Sequence, residues 1–212
     1  MIKCTATLLL IILLNTVATA QPSGGSGNVE LGLATGIASG WWIYTLGTGA
    51  GIDRTDNVPK ISFEGVFVFK PHRFGIGAGL GYSFLTDNTM ETFEDTRAQR
   101  QKYSIANKVV QFWTYYLLAE YDVYSDGRYS LSPQLKAGGF GIDTTHPQKA
   151  NFKTQFLTEL SALNKIDLSG GLSLTLRPFY QVMMISTKED LLPGEKHRIF
   201  SLGLSFGVRY NI

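Results

Sequence analysis

The 212-residue chain carries 19 Lys and Arg against 17 Asp and Glu, and this near balance, with no long basic run, gives nucleic acid no electrostatic footprint. Its single cysteine, Cys4, excludes an internal disulfide framework. After the first twenty residues no stretch is apolar over the roughly 20 residues a membrane helix needs.

Residues 1–20 read as a secretory signal peptide. Lys3 supplies the positive region, "LLLIILL" the apolar run, and "NTVATA" a small-residue stretch before Gln21. The run is too short to span a bilayer. A lipid-attachment cysteine would follow it, whereas Cys4 precedes it, so Cys4 is expected to leave with the signal. Residues 21–28, "QPSGGSGN", read as a flexible segment, and 29–212 as one domain.

From Val29 onward the chain alternates at period two in eight segments. The first sets Val29, Leu31, Leu33, Thr35 and Ile37 opposite Glu30, Gly32, Ala34, Gly36 and Ala38. "ISFEGVFVF" places Ile61, Phe63 and Phe67 against Ser62, Glu64 and Val66, and "FGIGAGLGYSF" opposes bulky residues to four glycines and Ser83. The fourth, about 109 to 123, has Trp113, Tyr115 and Leu117 against Thr114, Tyr116 and Glu120. The fifth opposes Tyr129, Leu131 and Leu135 to Ser130, Gln134 and Lys136, with Pro133 on the bulky side. Phe156, Thr158 and Leu160 face away from Gln155, Leu157 and Glu159 in the sixth. In the seventh Leu172, Leu174, Leu176, Pro178 and Tyr180 oppose Ser173, Thr175 and Arg177. The closing "IFSLGLSFGVRYNI" sets Phe200 through Ile212 against Ser201, Gly203, Ser205, Gly207 and Arg209. Pro133 and Pro178 remove ladder donors, so a bulge or local register change is expected at each.

Connections alternate in length. "KPHR", "SDGR" and "NKID" are short; about 42–59, 86–107, 143–151 and 184–197 are longer and polar. Asp126-Gly127 is a strong hairpin signal. Short turns at one end and long loops at the other imply an all-β, antiparallel up-and-down meander that closes into an eight-stranded barrel. Bulk on one face and Gly, Ala, Ser, Thr plus charges on the other do not suit a water-soluble barrel, because so small an interior has no room for the bulky set. The bulky face must meet lipid. Aromatics at both strand ends fit two membrane interfaces.

With these features the chain resembles the small eight-stranded outer-membrane β-barrel proteins of Gram-negative bacteria, the group that includes the membrane domain of outer-membrane protein A. The resemblance implies location in the cell outer membrane. Outer-membrane lipid is then one partner, and the insertion machinery that reads the terminal strand is another. Such strands commonly close on an aromatic; this one has Tyr210 two before Ile212.

The inward charges Glu30, Glu64, Glu120, Lys136, Glu159, Arg177 and Arg209 are the strongest constellation, expected to form an interior ion-pair network because an unpaired buried charge costs about 3–5 kcal/mol. Arg209 is expected to meet Glu30 across the closing seam. "GTGAG" and "GIGAGLG" lack phosphate-cradle spacing, and the latter's glycines make room for long neighbours. His72, His146 and His197 share no metal-ligand spacing, and "METFEDT" reads as a solvated loop, so neither metal nor cofactor is expected. His197 with Ser186 and Glu195 is a weak match to a hydrolytic site. The expectation is a non-enzymatic barrel serving envelope integrity or surface binding, with loop 86–107 as the place for an extracellular ligand. A narrow channel for a small solute and a lipid-modifying enzyme are the alternatives in function, and a soluble ligand-binding barrel is the remaining alternative in structure.

Overall fold

The computed structural model describes residues 27–46, 49–69, 72–85, 90–92, 110–144, 152–187 and 196–212. Eight long strands form the wall: β1 (Gly27–Leu46), β2 (Gly49–Phe69), β3 (Phe74–Leu85), β4 (Val110–Tyr121), β5 (Tyr129–Thr144), β6 (Phe152–Asp167), β7 (Leu172–Thr187) and β8 (Lys196–Asn211). Every neighbouring pair is antiparallel, and β1 pairs with both β2 and β8, so the sheet closes. Closure leaves the barrel without an open edge, and each wall strand finds ladder partners on both sides.

The expected seam is present. Leu31 sits opposite Tyr210, Gly32 opposite Arg209 and Ile37 opposite Leu204. Following partners around the wall from Ala38, through Gly203, Phe179, Ser161, Gln134, Glu120, Gly75 and Val68, returns to Asn28, ten residues away on the same strand. With eight strands such a stagger corresponds to a tilt of about 40°, at which side chains fill the interior.

Alternation decides the two faces. Outside, Leu33, Ile37, Trp41, Ile61, Trp113, Leu117, Leu135, Leu160, Leu202 and Phe206 are all exposed, Leu117 to 70%. Inside, the opposite parity is buried or half-buried, the seven charges fully so and the glycines and serines to varying degrees. A continuous bulky apolar belt on a closed barrel is a surface for lipid. Phe74, Tyr121 and Tyr210 lie exposed towards the short turns and Trp41, Trp113 and Tyr180 towards the other end.

Several element bounds differ from the sequence reading. β1 begins at Gly27, which pairs with Phe69, so residues 27 and 28 belong to the wall; residues 1–26 lie outside the described residues. The expected long loop 42–59 is instead paired strand: β1 and β2 run on to Leu46 and Gly49, with a three-residue strand, Met90–Thr92, added against Asp53 to Thr55. The polar residues that suggested a loop continue the ladder as a hairpin. "NKID" is likewise strand, the end of β6. The turn falls at 168–171, where Gly170 (φ 64°) and Gly171 (φ 82°) adopt the left-handed backbone that tight reversal needs. At the Asp126 turn, the backbone N–H groups of Tyr129 and Arg128 donate to the carboxylate at 2.9 and 3.2 Å, holding Asp126 below the usual carboxylate range, and Gly127 has φ 90°.

The expected irregularity is present beside Pro133, where pairing with β4 stops at Glu120 opposite Gln134 and resumes one residue out of step, with Tyr124 opposite Leu131 and the Val123 N–H also donating to the Leu131 carbonyl. At Pro178 the register is the same on both sides of a gap in the ladder, and further register shifts lie between Ala38 and Gly40 and between Phe152 and Thr154. Pro133 and Pro178 stand in continuous strands, exposed on the outer face.

Candidate functional site: the charged interior

The seven inward charges singled out in the sequence come from seven strands, all but β3, and every one is buried. Three of the cations gather around Glu64 of β2, which is 2% exposed. One of its oxygens accepts from Lys136 of β5 at 2.8 Å, and both accept from Arg177 of β7 at 2.7 and 2.8 Å. The Tyr116 hydroxyl of β4 donates to it at 2.9 Å, and Arg209 of β8 approaches to 3.6 Å. Groups from four other strands thus converge on one carboxylate across the lumen. An arginine can bind a carboxylate with two parallel bonds, and this geometry fixes direction as well as charge.

Arg209 forms the second centre. Its guanidinium donates twice to Glu120, at 2.9 Å each, and once to Glu30 across the seam at 3.1 Å. Gln134 donates to the same Glu120 and accepts from Ser161 at 3.3 Å. Glu159 completes the network towards the long-loop end. Lys136 lies 2.7 Å from it, Lys60 is bonded to it, and Gln181 donates at 3.2 Å.

Two cations were missed in the sequence. Lys60 falls between the expected loop 42–59 and the strand that opens at Ile61, and Lys165 falls in the connection "NKID"; Lys165 donates to Glu30 at 2.8 Å. Parity was the available signal. Lys60 shares the phase of Glu64, and Lys165 that of Glu159, once each strand is continued past its apolar part. They supply the positive charge that four carboxylates against three cations lacked. Lys60 also lies 4.4 Å from the Phe179 ring, and Lys136 4.9 Å from that of Tyr116, so the ammonium groups rest on aromatic faces as well as on carboxylates.

Glycines make the space. A side chain at Gly79 would run into the Tyr116 ring, and one at Gly75 into the Glu120 side chain. The bare inward face of β3 is what lets β4 extend its long residues across the lumen. Phe112, Phe140, Leu157, Met183 and Ile199 pack with Tyr116 into an apolar cluster that joins the charged region. Beside it lies a cavity of about 30 Å³, bounded by Lys60, Phe112 and Met183. At the short-turn end a polar recess of about 240 Å³ opens beside Glu30, Lys165, Asp167 and Asn211. There Ser173 donates to Asp167 at 2.5 Å.

Among the described residues no three His, Cys, Asp or Glu side chains group in a way that could hold a metal ion. His72 lies exposed at a short turn. His146, Glu94, Asp95 and Glu195 lie outside the described residues. Ser186 is a strand residue opposite Lys196, and His197 stands opposite Ile185, so these two are not cross-strand partners.

No family model matches the sequence, and no curated protein matches it. Among solved structures the chain is similar to the outer membrane protein AlkL in DMPC lipid bilayers, at 13% identity and TM-score 0.59 over 91% of this chain and 94% of that one. It is also similar to a major outer membrane protein from Thermus thermophilus, at 11% identity and TM-score 0.51 over 88% and 100% of the two chains. With its closed, lipid-facing eight-stranded wall, the chain has the fold of the small outer-membrane β-barrels.

Proposed function

We propose that the protein is a non-enzymatic anchor of the outer membrane. Its barrel is plugged by charge, and its work, in envelope integrity or surface binding, is done by the connections at the long-loop end. The observation that carries this reading is the convergence of Tyr116, Lys136, Arg177 and Arg209 on Glu64, from four strands towards the fifth. A solute path would have to break several buried charged contacts at that level. The partners follow from the same reading: lipid around the belt, the insertion machinery at β8, and an extracellular ligand at loop 86–107. Of that loop the structure describes only the backbone of Met90–Thr92.

Two measurements test it. In a planar bilayer the folded protein should give no stable current; steady unitary steps would favour the narrow-channel alternative. Removing loop 86–107 should leave membrane fractionation and the mobility difference between boiled and unboiled samples unchanged, while altering surface binding. A variant that no longer inserts would make the loop structural.

A further inference from the structure

The ladder between β6 and β7 breaks near its middle. Partners run to Ser161 with Phe179 and resume at Asn164 with Leu176. Pro178 is the cause. The Leu168 N–H donates to the Leu172 carbonyl at 2.9 Å, and counting in twos from that pair makes Ala162 and Pro178 a pair that would exchange bonds. Pro178 has no N–H to give, so the Ala162 carbonyl loses its ladder donor. On a lipid-facing wall no water replaces it. Pro133 is the partner of Ala162 on the other side, so that side offers no N–H either.

Asn164 fills the gap. It has the lipid-facing phase of Leu160 and Ile166 and is half-buried. Its Nδ2 donates to the Ala162 carbonyl at 3.2 Å and to the Leu176 carbonyl at 3.3 Å. Its Oδ1 accepts from the Tyr129 hydroxyl of β5 at 2.6 Å. A polar amide on this face is costly unless its groups are bonded, and here both ends are. We propose that Tyr129 and Asn164 form a latch over a built-in break in the barrel wall, so that the β6–β7 seam opens locally when the latch is removed.

The latch is needed only while residue 178 is proline, and that makes it testable. Amide hydrogen exchange at Leu176 and Tyr180 is to be measured on the folded protein in phosphatidylcholine bilayers, for Asn164→Leu, Pro178→Val and the double variant. Asn164→Leu should speed exchange about tenfold: of the three hydrogen bonds lost, the one to Leu176 crosses this seam, and its loss together with the bared Ala162 carbonyl is worth about that factor. With valine at 178 supplying the missing N–H, Asn164→Leu should have little effect. Equal acceleration in both backgrounds, or none in either, would overturn the proposal. Should Asn164→Leu fail to fold, Tyr129→Phe removes one hydroxyl alone. It should speed exchange by a smaller factor when position 178 is proline and not when it is valine, and equal rates would overturn the latch.

Discussion

Glu64→Leu removes the acceptor on which the lumen converges. Lys136 keeps Glu159 at 2.7 Å, and Arg209 keeps both bonds to Glu120, but Arg177 loses its bidentate partner while remaining 3% exposed. A guanidinium cannot shed its charge at ordinary pH, so the loss is not relieved by deprotonation. Breaking a buried pair from one side costs about 3–5 kcal/mol. With a urea slope of about 2 kcal/mol/M, the unfolding midpoint should fall by about 2 M. Tryptophan emission, with the boiled and unboiled gel mobilities as a second reading, follows the transition in detergent. Glu64→Leu with Arg177→Leu should recover much of the loss, because replacing both charges by apolar groups is often near neutral. An unchanged midpoint for Glu64→Leu, or a double variant no better than the single, would refute the pairing.

The same reasoning orders other changes. Arg209→Leu should lower the unfolding midpoint more than Arg209→Lys, because lysine keeps the charge beside Glu120 and Glu30 but loses the two-bonded geometry; equal midpoints would count against the network. Asp126 is held below the usual carboxylate range by backbone N–H groups, so its contribution to the hairpin is present above the unfolded chain's value and is lost as pH falls through the lower folded one. Its carboxyl titration, followed by NMR, should therefore lie below that of an unstructured peptide, and Asp126→Asn should matter near neutral pH but not in strong acid.

The barrel was legible in the sequence because a lipid-facing wall reverses the usual contrast: bulk outside, small and charged residues within. The alternation of Trp113, Tyr115 and Leu117 with Thr114, Tyr116 and Leu118 carries no turn signal, and so it places the strand even where both faces are apolar. Strand ends were less legible. Beyond the apolar belt the wall continues in polar residues, so Lys60 stood outside the readable strand, and "NKID" competed with the glycine pair three residues later. Pairing needed geometry that no single strand contains. Glu30 and Arg209 could be matched across adjacent strands, but Glu64 and Arg177 meet across the lumen, at a level fixed by the ten-residue stagger. The role of Asn164 was invisible for a similar reason, since its value depends on a proline in the neighbouring strand.

Why should such an interior be charged, when an apolar filling can be equally stable? A one-residue slip of a strand exchanges its two faces. With an apolar lumen, a slipped strand would offer lipid nothing worse than small side chains. With this one, a slip of β8 at the seam would turn Arg209 out into lipid and leave Glu30 and Glu120 without it. A charged side chain on the lipid face costs about 2–4 kcal/mol at the bilayer midplane and less near an interface, and the lost pairing adds to it. The charges therefore act against wrong registers as well as for the right one. This separates yield from stability. Glu64→Leu with Arg177→Leu, once folded, should unfold near the parent midpoint yet refold into bilayers with lower yield, because two register markers are gone. Equal refolding yields would leave the charges with a role in stability alone.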